Sequence, residues 1–448
     1  MRKHTLLLLA VLASQAPAQT FTTILNFDGA NGGNPLYMNL IQGNDGDLYG
    51  TTSGGGNTGY GSLFETTTSG TLTTLYSFSL SGGVYPTAGL APAPRSEYYG
   101  TTEAGGTYGL GTIFKVTPSG TLSTLYSFGG ADGAYPYTGL LTTAQGNAYG
   151  TTEFGGGHNY GTIFQITPRG ALTTLYSFSA TDGAYPFGTL AAAGGNYYGT
   201  TVAGGANDYG TVFEITSAGT LTTLYSFSDT DGAYPPGGLI LATDGNLYGV
   251  TSAGGANGFG TVFKISLAGS LTTLYNFAST DGSTPFAGLI QATDGNFYGT
   301  TYQGGASGYG TVFQITPGGA LTTLHSFASA DGANPSGGLL QATDGNLYGT
   351  TWAGGASGDG TIFSISEGLA PFVVSVPLSG KVGASVRILG TSLKGYTGVD
   401  FNGTKATFKI ASATEITATV PASATTGPIH VTKTGSTLVS NLPFQVIP

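Results

Sequence analysis

The sequence contains no cysteine. Disulfide staples, thiolate nucleophiles, cysteine-ligated metal and a lipidated N-terminal cysteine are thereby excluded. Charge is also scarce. Only 8% of residues are charged, and the net charge of −10 comes without any basic cluster. That excludes a nucleic-acid or anionic-membrane surface as partner. The histidines beyond the start, His158, His325 and His430, are isolated and offer no zinc spacing. A GxSxG elbow and a P-loop lysine motif are both missing. Past the first residues, no apolar run approaches the length of a transmembrane helix.

What is present is glycine, tyrosine and a leader. The 448 residues include 79 Gly and 27 Tyr, yet 40% are apolar and 12% aromatic. Such a chain can bury a core, and glycine at fixed positions marks tight turns rather than disorder. The start, MRKHTLLLLAVLASQAPAQT, has a basic n-region, a short apolar run and a small-residue cleavage site at Ala16-Pro17-Ala18. It predicts a signal peptide over residues 1–18 and a secreted, extracellular or cell-surface location.

The chain then repeats. The tyrosine of LYG and its variants stands at Tyr49, Tyr99, Tyr149, Tyr198, Tyr248, Tyr298 and Tyr348, fifty residues apart with one interval of forty-nine. Within the unit at 237–277, GGLILAT and NLYGVT flank an Asp-Gly, the favoured two-residue hairpin signal. GTVFKIS and SLTTLYNF follow, separated by the turn LAG. These runs have strand length and strand composition, and none has a helical period. Each unit is therefore a four-stranded antiparallel meander. Four strands per unit and seven units predict a seven-bladed β-propeller over residues 19–367. Glycine after each repeated Tyr is expected to let the next blade approach.

The first strand is out of place in a telling way. TFTTILNF, Thr20 to Phe27, matches TLTTLYSF at 71–78, which closes a unit everywhere else. The last unit lacks this strand, so the N-terminus is expected to supply it and close the ring, with Phe21, Ile24, Leu25 and Phe27 holding the seam.

Periodicity stops near Glu367. Residues 371–448 carry short alternating strands with Gly and Pro turns and read as a small β-sandwich. The segments PLSGKVG before VRILG, VDFNGTKA, EITATVP, TGPIHV and SNLPFQV resemble an IPT/TIG domain, the immunoglobulin-like module of bacterial surface proteins. The unit with LYGTT, GG, GYGTVF and LTTLYSF resembles the GloVer tandem repeat of exported bacterial proteins over about residues 20–367. The resemblance implies architecture and export. It carries no activity.

Loops on a rigid scaffold are the usual carriers of function. In this chain the longer loops, between the second and third strands and between successive units, fall on one face. Two of their positions vary among near-identical repeats. The residue after the second strand's TT or VT includes Glu103, Glu153, Tyr302 and Trp352, and the residue after the loop proline includes Tyr137, Phe187 and Phe286. Aromatic platforms beside carboxylates suit sugar faces and hydroxyls, and paired glutamates suit acid/base work. Exposed loop ends that tolerate any residue give the same pattern. Tyr60, Tyr160, Tyr209, Phe259 and Tyr309 form a second aromatic set, either a binding rim or loop packing. The Asp of each loop DG, as at Asp132, Asp182 and Asp281, fits turn chemistry, with calcium as the alternative. The resulting expectation is a monomeric, cofactor-free, non-catalytic protein that binds an extracellular glycan or surface protein through this face. The alternative is a glycoside hydrolase or polysaccharide lyase using Glu103 and Glu153.

Overall fold

The computed structural model describes residues 19–143 and 145–447, so the leader expected over residues 1–18 lies outside it. Among the described residues no helix is long and apolar enough to cross a membrane.

The fold is all-β and built from one repeated sheet. In a representative unit, Ile240–Leu241, Leu247–Thr251, Thr261–Ile265 and Leu271–Asn276 form an antiparallel meander, here named strands a to d. The a–b hairpin is tight because Asp244 serves two partners. Its Oδ1 accepts the Asn246 N–H at 3.0 Å, and its Oδ2 accepts the Tyr248 hydroxyl at 2.9 Å. The turn aspartate therefore also satisfies the phenol of a ring that is itself buried. A bulge between Val262 and Phe263 breaks the c–d register and adds twist.

Seven sheets of this pattern occur among residues 20–366, one of them with an extra strand at Ala184–Pro186. The last takes its d strand from the chain's start, as Thr20–Asn26 pairs antiparallel with Thr361–Ser366. Apolar clusters lie between sheets. Tyr198, Val212 and Phe227 of the fourth sheet pack on Leu239, Leu247 and Phe263 of the fifth. The seam between the last sheet and the first is built alike, with Phe27, Tyr348 and Ile362 against Met38, Leu48 and Phe64. On the other side of the last sheet, Phe21 stacks on the His325 ring of the sixth at 3.6 Å. A glutamine ladder also crosses the seam between last and first sheets. The N–H groups of Thr243, Thr293 and Thr343 donate to Gln291, Gln341 and Gln42 at 2.9, 3.0 and 2.9 Å, so the step from last to first sheet repeats the steps before it. The arrangement is β-propeller-like.

The glycine after each repeated Tyr has a different role from the one expected. A Cβ at Gly100 would meet Cζ of Phe114 at 2.2 Å, and one at Gly249 would meet Cζ of Phe263 at 2.6 Å. These phenylalanines are the glycines' own cross-strand partners. The glycine makes room for a ring folded back over its own sheet. Close approach between sheets falls instead to glycines before strand a. A Cβ at Gly238 would lie 2.7 Å from the carbonyl oxygen of Thr189 in the preceding unit.

Beyond the repeats, two four-stranded sheets, one from Val373–Val376 to Glu415–Thr419 and one from Gly398–Phe401 to Ser436–Val439, share a core of Val386, Ile388, Ile416, Val399, Phe401 and Val431. This tail rests on the a–b hairpin side of the last, first and second sheets. Phe372 N–H donates to Thr343 O at 3.1 Å, Thr414 Oγ1 to Asn44 O at 3.1 Å, and Arg387 Nη1 to Ser96 Oγ at 3.1 Å.

Candidate functional site

The b–c loops and the loops joining successive sheets lie at the opposite end of the strands from the tail. A repeated backbone device fixes their geometry. The residue before each loop proline is left-handed, with φ of 57° at Tyr85, 56° at Tyr135, 54° at Thr284 and 56° at Asn334. For a bulky residue ahead of proline this is a strained conformation, costing about 1–3 kcal/mol each. It is held from both sides. The Tyr135 N–H donates to Leu110 O at 2.9 Å, and the Tyr135 carbonyl accepts the Glu153 N–H at 3.1 Å. Glu103, Tyr302 and Trp352 are held in the same way by Tyr85, Thr284 and Asn334, at 3.0, 3.1 and 3.2 Å. Each of these four candidates, one residue past strand b, therefore leaves a clamped backbone.

The second set of candidates comes from the segments leading into strand a. Tyr137, Phe187 and Phe286 line an axial cavity of about 50 Å³, together with residues from most of the other units. The sequence reading missed one member, Tyr37. Its ring lies 5.1 Å from Phe187 and 5.9 Å from Phe286, contacts made across the axis. Its N–H donates to Ser336 Oγ at 3.2 Å. The signal was present: Pro35 to Leu40 is one residue longer than the equivalent Pro86 to Leu90. The inserted residue, with φ of 52°, turns into the axis and plugs it.

The rings form a continuous arc. Tyr137 is 5.6 Å from Phe187, Phe187 meets Tyr37, Tyr37 meets Phe286, Phe286 is 5.2 Å from Tyr302, and Tyr302 is 6.4 Å from Trp352. All are half-buried, as are the two glutamates. The glutamates belong to the same constellation. Burial first, and the Glu103 carboxylate second, push the Glu153 carboxyl up to about 7. Burial raises the Tyr37 phenol, with Tyr302, Glu153 and Glu103 adding to it. The Tyr137 phenol faces Glu103 and is raised by burial and by that carboxylate. Thus all seven residues singled out in the sequence lie in one bowl, joined by Tyr37. A carboxyl raised toward neutrality by burial and by a second carboxyl beside it is an arrangement that acid/base chemistry can use.

Other candidates lie outside the bowl. Tyr60, Tyr160 and Tyr209 pack against Tyr85, Tyr185 and Tyr234, with ring centroids 5.8–5.9 Å apart, while Phe259 and Tyr309 are exposed. The loop aspartates weighed as calcium ligands are already engaged. Asp281 accepts the Tyr275 hydroxyl at 2.6 Å and the Ala278 N–H at 3.0 Å, and Asp182 does the same with Tyr176 and Ser179. A cavity of about 680 Å³ lies between ring and tail. Its charged groups are paired, Arg387 with Glu415 and Glu97 with Lys115, and the chemistry of the bowl is absent there.

Among solved structures, the chain is similar to a gluconolactonase from Xanthomonas campestris, with 12% identity, 80% of this chain and 92% of that one covered, and a TM-score of 0.42. It is also similar to a 6-phosphogluconolactonase-like protein from Bacteroides uniformis, with 17% identity, coverage of 66% and 89%, and a TM-score of 0.45. A third is PorZ, a surface component of the type-IX secretion system of Porphyromonas gingivalis, with 14% identity, coverage of 93% and 60%, and a TM-score of 0.48. No curated protein matches the sequence. Several of these neighbours are described as gluconolactonases or 6-phosphogluconolactonases, which stands against the expectation of a non-catalytic binding protein, and at this likeness they show the fold alone. At such identity their substrates do not transfer. The model of the Gloeobacter/Verrucomicrobia repeat matches residues 11–213 and 188–411, and the chain belongs to that family.

Proposed function

We propose that the protein is a glycoside hydrolase whose active site is the aromatic bowl. The carrying observation is the half-buried carboxyl pair, in which burial and then the neighbouring Glu103 push the Glu153 carboxyl up to about 7. Glu153 would donate its proton to the glycosidic oxygen. Glu103 would meet the charge that develops at the anomeric carbon or activate a water there. Trp352, Tyr302, Phe286, Phe187 and Tyr137 would stack on sugar faces, and Tyr37 closes the floor so that the chain lies across the bowl rather than through the axis. The lyase variant of this reading is weaker. It calls for a uronate, and the bowl offers acidic side chains and no Lys or Arg to meet one.

In this reading the scaffold over residues 19–367 is a seven-bladed propeller closed by the N-terminal strand. Residues 371–448 are an IPT/TIG-type, immunoglobulin-like module behind it, serving as spacer. The leader supports action outside the cytoplasm, as a monomer on extracellular glycan.

The test is incubation of purified protein with a panel of oligosaccharides, followed by mass spectrometry of the products. Cleavage of at least one class, lost in both Glu153→Gln and Glu103→Gln, supports the proposal. No cleavage of any class at any pH between about 5 and 8 rejects it.

A further inference from the structure

The charge of the bowl's face is one-sided. The b–c loops and the loops joining successive units hold eleven Asp or Glu and no Lys or Arg. The four basic residues of the repeats lie elsewhere. Arg95, Lys115, Arg169 and Lys264 sit on or beside the a–b turns, strands c or the c–d turns, and Lys115 is paired with Glu97 at 3.0 Å. The remaining basic residues are in the leader or the tail. Among the described residues no Lys or Arg on this face faces its carboxylates, though His325 meets Asp331 at 3.0 Å, so the field of the face favours cations.

Two features of the bowl point the same way. Tyr37 feels only groups that disfavour further negative charge: Tyr302, Glu153 and Glu103. The arc from Tyr137 to Trp352 presents six π systems around the carboxylates, and aromatic faces attract ammonium groups.

We infer that the bowl selects a saccharide carrying a free ammonium group, an amino sugar with its nitrogen unacylated, over neutral and anionic saccharides. The inference rests on the glycosidase reading for the sugar and on the charge of the face for the ammonium. In the bound complex the ammonium faces Glu103 within the aromatic arc, and the pyranose rings lie on Tyr302 and Trp352.

Trp352 is the sole tryptophan, so its fluorescence reports the bowl directly. The full protein is titrated at about pH 6 and about 20 mM salt with four ligands: a fully deacetylated glucosamine tetramer, its N-acetylated counterpart, cellotetraose, and tetragalacturonate. The deacetylated tetramer is expected to bind about tenfold or more tightly than cellotetraose, as an ammonium within an aromatic cage implies. The preference should shrink at about 300 mM salt and in Glu103→Gln. Tetragalacturonate should not bind. Spermidine, a cation without a sugar ring, should bind at least about tenfold more weakly than the deacetylated tetramer, because it leaves the stacking faces unused. Equal binding of cellotetraose, an unchanged preference in Glu103→Gln, equal binding of spermidine, or no binding at all overturns the inference. Product analysis separates the two readings. Cleavage confined to neutral sugars removes the ammonium preference and keeps the hydrolase. Tight binding of the deacetylated tetramer with no cleavage keeps the preference and removes the hydrolase.

Discussion

Phe27→Ala tests whether the borrowed strand is part of the ring or an appendage to it. Phe27 is fully buried, with its ring 5.4 Å from Phe64 across the seam between last and first sheets. Its equivalents inside the array, such as Phe178, are equally buried, and Phe178 lies 5.4 Å from Phe213. Truncating a buried phenylalanine to alanine costs about 3–5 kcal/mol when the surroundings cannot collapse into the gap. Unfolding entropy is about 2 cal/mol/K per residue, so over the ring's residues this is a fall in melting temperature of about 4–7 °C. Circular dichroism melts of Phe27→Ala and Phe178→Ala, side by side, give the comparison. If the seam is a true seam, the two fall together. If the first strand frays before the rest, Phe178→Ala falls and Phe27→Ala does not, and closure by the N-terminus is refuted.

Glu153→Gln gives a pH-dependent stability change whose sign is fixed. The carboxyl titrates higher folded than unfolded, so the folded state holds the extra proton between the two values and loses stability as pH rises from about 4.5 to about 7. Melting temperature should therefore rise in the variant at pH 8 and stay unchanged at pH 4, and the reverse order would contradict the assignment. The alkaline limb of the wild-type pH–rate profile should fall near pH 7, as Glu153 loses its proton, and steady-state rates on a cleaved oligosaccharide measure it. Gly100→Ala should lower the melting temperature by several degrees, because its Cβ would lie 2.2 Å from Phe114 Cζ, whereas Gly245→Ala, in open space but left-handed at φ 79°, should cost about 1 kcal/mol. Deleting Tyr37 should restore the loop length of the other units and open the axis. We expect weaker saccharide-induced change in Trp352 fluorescence, with a melting temperature close to wild type.

Much of the fold could be read from the repeats because each local signal agreed with the others. Asp244-Gly245 between apolar runs forms the tight turn it implied, and the displaced octet at Thr20 pairs where its copies pair. The role of glycine was misread because sequence spacing does not say which neighbour fills the space; at Gly100 it is the ring across the strand. The clamp behind the bowl was illegible for a physical reason. Residues before proline favour extended backbone, and only the hydrogen bonds on both sides of Tyr135 hold it left-handed. Glu103, Glu153, Tyr302 and Trp352 stood out as departures from a shared pattern. Tyr37 escaped because it is an insertion, visible as a changed interval rather than a changed letter.

The pairing of Thr20 with Ser366 sets an order of events during synthesis. The first strand made is the last to find its place, since its partner is among the final residues of the array. Until then the inner sheets can stack on one another while the earliest segment waits with its edge unpaired. Long-range closure of this kind is slow. A half-made chain thus carries a free strand whose matching edge does not yet exist, and the two meet only when the circle is complete.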